Sequence, residues 1–135
     1  MRPADAKQRS GKCEAPSLVA TSEGNPEAAI ELLTTSLVRA TDSSDRRGVA
    51  MAVEGLADAH AALGELSFAA RLLGAAEILR DEIGGAPPVS QRGCVDRADR
   101  IAREGLDRAA YQAERALGVS EAHSVVADFL LRESV

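Results

Sequence analysis

The sequence predicts an all-α protein built from antiparallel helical hairpins, and three observations carry that prediction. Ala, Leu, Glu and Arg dominate the chain, and these side chains lose little rotamer freedom in a helix. β-branched and aromatic clusters are missing, and period-2 alternation appears nowhere over a useful length. Apolar residues instead recur at three- and four-residue steps in successive segments joined by short polar connections, which makes neighbouring segments antiparallel helices.

Residues 1–15 have mixed charge, Gly11 and no apolar face, and they read as a flexible tail. Residues 16–23 hold a short helical pattern in Pro16, Leu18, Val19 and Ala20. The next helix is expected from Pro26 to about Ala40. Asn25 can accept from the first free amides, and Pro26 suits the first turn, where no amide donor is needed. Its stripe is Ala29, Ile30, Leu33, Ser36 and Leu37. A third helix runs from Arg46 to about Leu63 behind an Asp45 cap, with Val49, Val53, Leu56, Ala57, His60 and Leu63 on one face and Gly64 as the stop. A fourth, from about Ser67 to Ile83, carries Phe68, Leu72, Leu73, Ala76, Leu79 and Ile83. Gly84-Gly85 and Pro87-Pro88 end it.

A long helical region is expected from Val89 to Leu117, with Val95, Ala98, Ala102, Leu106, Ala109, Ala113 and Leu117 as its stripe. Gly105 costs about 1 kcal/mol against Ala in a helix interior, so a kink or break belongs near it. Gly118 closes this stretch. Ser120 is read as the cap of a last helix reaching Leu131, which buries Ala122, Val125, Val126, Phe129 and Leu130.

Composition narrows the function classes. With 135 residues, 45% hydrophobic and 27% charged, the chain makes one domain, assigned to 16–135, with enough apolar content to fold. No apolar run approaches the roughly 20 residues of a membrane span and no leader-like apolar stretch follows Met1, so the expectation is a cytoplasmic protein without membrane contact. A net charge of -5 and 2% aromatics disfavour direct nucleic-acid binding, which needs basic surface and stacking platforms. Cys13 and Cys94 have no CxxC spacing and no nearby His, so they read as free thiols of a reducing compartment. No metal or cofactor motif is present.

A period of forty residues is also legible. Gly24, Ala29 and Leu33 reappear as Gly64, Ala69 and Leu73 at the same steps, within the range of helix-pair solenoids. Small residues at such positions let paired helices approach, while the larger ones fill the seam between pairs. Val53, Leu56, Ala57, His60, Gly64, Ala69, Leu73 and Ala76 stand at the spacing of the tetratricopeptide (TPR) consensus, with His60 in place of its Tyr and Leu73 in place of its Phe. The upstream unit keeps only the second half of the pattern.

The string from Ala69 to Gly84, AARLLGAAEILRDEIG, resembles a block near the C-terminus of large actinobacterial LuxR-type and related multidomain regulators, which carry an ATPase core followed by a TPR-like tail. The Pro87-Pro88 loop, the long helix, Tyr111 with Arg115-Ala116-Leu117, and Glu121-Ala122 follow in that family's order. The resemblance spans residues 24–131. It implies a TPR-like α-solenoid with a helical C-terminal cap and a role in regulation. The chain has no GxxxxGK[ST] phosphate loop and no helix-turn-helix pattern, so the expectation is a free-standing version of a regulator's tail.

Within this frame Met51, Glu54, Asp58 and Ala61 fall on the face where TPR hairpins meet partners. A two-carboxylate row there favours a basic peptide or the basic face of another protein. The competing reading is a solvated acidic helix face. His60 lies on the apolar stripe as a core-edge histidine. A catalytic dyad is poorly placed, because Asp58 and Glu54 are offset from it by about 200° and 240° around the helix. His123 has no visible partner. In the run 96–104, Asp96 with Arg100 and Asp99 with Arg103 are spaced to pair along an exposed face. Arg46, Arg47, Arg71 and Arg80 could form an anion site only if the fold gathers them.

The sequence therefore points to a non-catalytic protein-interaction module without cofactor. The alternative is a small helical enzyme or small-molecule carrier, with His60 and Tyr111 lining a cavity between hairpins. Few repeats leave an apolar end to cover, so a homodimer is expected through Leu33 and Leu37 or through Val126, Phe129 and Leu130.

Overall fold

A computed structural model of the chain describes residues 25–134. Among the described residues there are six helices and no strand: α1 (Pro26–Asp42), α2 (Arg46–Ala62), α3 (Leu66–Glu82), α4 (Val89–Gly105), α5 (Arg108–Ser120) and α6 (Ala122–Ser134). The expected tail, the helix at 16–23, Gly24 and Cys13 lie outside them.

Local chemistry sets the boundaries. Asn25 Oδ1 accepts from the Ala28 amide at 3.2 Å and Asp45 Oδ1 from Gly48 at 2.9 Å, so each satisfies an amide that the helix cannot. The first three helices are each 17 residues long, and they end in the same way. The amides of Asp45, Glu65 and Gly85 reach back to the carbonyls of Ala40, His60 and Arg80 at 2.8, 3.0 and 3.1 Å. One residue earlier, those of Ser44, Gly64 and Gly84 bond Thr41, Ala61 and Asp81. This paired ending needs a left-handed residue, and Ser44, Gly64 and Gly84 take φ of 58°, 85° and 81°. The forty-residue period is thus two units of a helix plus a three-residue turn. Its repeated positions are equally buried: Ala29 and Ala69 at 0%, Leu33 and Leu73 at 2%.

The long region after Pro88 is two helices rather than one. The chain leaves α4 at Leu106 in an extended conformation (φ -109°, ψ 148°), and Asp107 caps α5 by accepting from Ala110 at 2.8 Å. Gly105 is the last residue of α4, so the break falls where its helix cost predicts. Gly118 does not end a helix. It sits inside α5, and α6 begins after Glu121, with Ser120 closing α5 instead of capping α6. The glycine is required by tertiary contact: a Cβ there would lie 1.9 Å from the Arg71 carbonyl oxygen, and one at Gly74 would lie 2.2 Å from that of Arg115. The backbones of α3 and α5 touch through these two glycines.

Helix α2 packs against α1, α3 and α4, whereas α3 contacts α2, α4, α5 and α6. The main core draws on five helices, with Leu37, Leu56 and Leu72 wholly buried at its centre. Each such side chain contributes about 1.5–3 kcal/mol. A smaller cluster of Ala70, Ala102 and Tyr111 joins α3, α4 and α5.

Two expectations change here. Leu33, Leu37, Val126 and Phe129 are buried and Leu130 packs partly against the core, so the faces expected to dimerise are turned inside the fold, where α1 packs mainly on α2 and α6 docks on α3 and α1. Cys94 is not a free thiol: it is fully buried and disulfide-bonded. No helix is long and apolar enough to cross a membrane among the described residues.

Candidate functional site

Glu54 and Asp58 stand one turn apart on α2, as expected, but not on an open surface. Both are 1% exposed, Ala61 is 3% exposed, and Met51 is half-buried. Neither the exposed partner-binding row nor the solvated acidic face describes them. The cause is α4, which crosses the side of α2 that the hairpin pattern leaves open.

Each carboxylate is held by one arginine from a different helix. Arg80 of α3 donates from Nε and Nη2 to the two oxygens of Glu54, both at 2.8 Å. Arg97 of α4 does the same to Asp58 at 2.8 and 2.5 Å. These two-point contacts are the strongest geometry for such a pair, and hydrogen bonding to the carboxylate raises the pKa of both guanidinium groups. Beside them the Gln91 side-chain amide donates to the Met51 carbonyl at 3.2 Å, tying the start of α4 to α2. Three helices are thereby stapled through a row of buried polar contacts. Local periodicity could not announce this, since the partners lie 26 and 39 residues away. A signal was nevertheless present. Ala50, Ala52, Gly55, Ala57, Ala59 and Ala61 surround the two acids, and a helix of small residues on every side is one packed on every side.

Two more of the basic positions are likewise paired. Arg71 bonds Glu114, and Arg46 lies 3.6 Å from Glu82, so with Arg80 on Glu54 these three do not gather into an anion site. The expected Asp99–Arg103 pair forms, at 2.8 Å, whereas Arg97 turns inward. Asp99 also accepts from the Tyr111 hydroxyl, which in turn accepts from Arg115 Nη1 at 2.6 Å, and Arg115 Nη2 reaches Glu77 at 3.1 Å. Burial, and then the bond to Asp99, pushes the Tyr111 phenol pKa up. His123 does have a partner: its Nε2 lies 2.7 Å from Glu82, whose pKa is lowered by that contact.

His60 and Tyr111 do not face each other across a cavity. His60 Nδ1 bonds Glu65 at 2.5 Å, and its ring stands edge-on to Phe68 at 4.9 Å and near Phe129. Its Nε2 is buried without a hydrogen-bond partner. Tyr111 belongs to the second cluster, with Arg103 over its ring at 4.5 Å. Both groups are buried and each bonds a neighbour within this chain.

One opening is a cleft of about 500 Å³ between the C-terminal half of α3, Val95 of α4, the 84–87 loop and Arg115 of α5. Leu73, Ala76, Pro87 and Val95 give it apolar walls, the Glu54–Arg80 pair lies along it, and Glu77 and Asp81 complete the lining. Among the described residues no group of three or more His, Cys, Asp or Glu side chains is placed to hold a metal ion. No family model matches the chain, no curated protein matches it, and no solved structure matches it.

Proposed function

We propose that this chain is a non-catalytic, TPR-like module that binds another polypeptide in a bacterial regulatory setting, of the kind its resemblance to actinobacterial regulator tails implies. The observation that carries the reading is the cleft beside α3. It is open and partly apolar, and it is bounded by helices that internal ion pairs hold in place. Pre-organised walls of this sort suit binding, because little ordering free energy is then lost when a partner docks. The carboxylates, the tyrosine and the histidines with assigned contacts are each engaged by a neighbour of this chain, which supports a scaffold over a reacting centre.

The surface assigned to partner binding moves with this reading, from Met51, Glu54, Asp58 and Ala61 to the rim of the cleft. The decisive experiment uses Ala86→Trp, which places an indole in the cleft from an exposed loop position. Tagged wild-type protein should retain a polypeptide from actinobacterial lysate, seen by native mass spectrometry, and the variant should lose it while keeping the wild-type helical circular dichroism. Retention of a small molecule with no polypeptide would replace this reading with the carrier.

A further inference from the structure

We propose that the cleft beside α3 recognises a basic, apolar-flanked segment of its partner, with Asp81 receiving the cation and the Leu73, Ala76, Pro87 and Val95 walls receiving the neighbouring apolar side chain. This rests on the binding-module reading and assigns the chemistry of its occupant.

The argument is one of charge balance inside a shaped space. Three carboxylates (Glu54, Glu77, Asp81) and two guanidinium groups (Arg80, Arg115) line the cleft. Arg80 is consumed by Glu54 in a two-point contact. Arg115 is divided between Glu77, Tyr111 and Asp99, so it only partly neutralises Glu77, which is 52% exposed. Asp81 is exposed and its carboxylate makes no ion pair among the described residues. The lining therefore carries an uncompensated negative charge.

The position of Asp81 adds a second, independent term. It lies in the last turn of α3, a helix that ends at Glu82. Helix carbonyls make that end partly negative, so cations are favoured there and a carboxylate is disfavoured. The basic residue of that turn, Arg80, points to Glu54 and leaves the carboxylate unrelieved. A cation arriving from outside would meet Asp81, the helix end and one side of Glu77 together. An aliphatic neighbour would meet the apolar walls. An acidic segment would meet repulsion at the same place.

The test is a titration of the isotope-labelled full chain, followed by amide chemical shifts. Three probes are used: the acetylated, amidated tetrapeptide of alternating leucine and arginine, the same peptide with glutamate for arginine, and spermidine. The arginine peptide should shift the Gly84, Gly85, Ala86 and Val95 amides, and raising the salt concentration should weaken it. Asp81→Asn should reduce its affinity about fivefold while leaving the thermal midpoint unchanged or higher, a combination that a structural role for Asp81 cannot give. Equal binding of the glutamate peptide would overturn the proposal, as would spermidine binding as tightly as the peptide, because the apolar walls would then be idle. Undiminished affinity in Asp81→Asn, or a lowered midpoint, would overturn it too. Shifts confined to another surface would remove the cleft assignment and leave the module reading to the Ala86→Trp experiment.

Discussion

Replacing Arg80 by Met should be among the most damaging single changes in the described part of this protein, although arginines usually tolerate substitution. The side chain is 6% exposed and its partner Glu54 is 1% exposed. Removing it leaves an almost wholly buried carboxylate without its partner, at a cost of about 3–5 kcal/mol. A domain of this size has roughly 5–15 kcal/mol in all, and about 4 °C in Tm accompanies each kcal/mol. Arg80→Met should therefore lower Tm by about 12–20 °C. Glu54→Met/Arg80→Met should recover most of the loss, since two apolar side chains of similar length remove both buried charges together. Arg97→Met should cost about half as much as Arg80→Met, because Arg97 is 37% exposed and its loss opens a path for water to Asp58. The assay is urea unfolding of the four proteins followed by far-ultraviolet circular dichroism. A loss below about 1 kcal/mol for Arg80→Met, or a double variant no more stable than the single one, would refute the reasoning and return Glu54 to the surface row that its helical position suggests.

Three further outcomes follow from the same geometry. Gly118→Ala should destabilise by about 1–3 kcal/mol or more, because its Cβ meets the Arg71 carbonyl oxygen at 1.9 Å, and backbone cannot swing aside. Gly105→Ala meets only the end of the Leu66 side chain, so equilibrium unfolding should show a markedly smaller loss, and equal losses would contradict the account of the α3–α5 crossing. Ser44→Gly should stabilise by about 1 kcal/mol, since Ser44 takes the left-handed conformation (φ 58°) that glycine fills at the two equivalent turns; an unchanged or lower midpoint in urea would count against this. Tyr111 has a raised pKa, so its contribution is fully present below the unfolded value of about 10 and is lost as pH rises through the folded value. Tyr111→Phe should remove that alkaline loss. The chain has one Tyr and no Trp, so phenolate absorbance reads the group directly, and a midpoint at or below the free-tyrosine value would disprove the shift.

Much of the candidate site was illegible for a definite reason. The sequence placed Glu54 and Asp58 one turn apart on α2, which is correct, but it read the 96–104 run that holds Arg97 as an exposed face, whereas Arg97 turns inward to Asp58. Whether those residues meet depends on where α4 returns, and nothing within α2 encodes that path. The same limit explains Val126 and Phe129: an apolar stripe on a terminal helix serves a dimer or its own core equally well, and the docking of α6 on α3 and α1 decides. Gly118 was read as a stop because glycine usually ends helices, whereas here it makes room for another backbone.

What the sequence determined by itself is local. The helical class, the starts at Asn25 and Asp45, the ends at Gly64 and Gly84, and the break near Gly105 rest on propensity, capping oxygens and backbone freedom, which act within a few residues. Even the twenty-residue rhythm of α1 to α3 is a repetition of such short-range signals. The tertiary structure alone decided which carboxylates lie in water and which are locked to an arginine. That outcome depends on desolvation and on contacts between residues 26 and 39 positions apart, and both arise only when separate helices close over the same space.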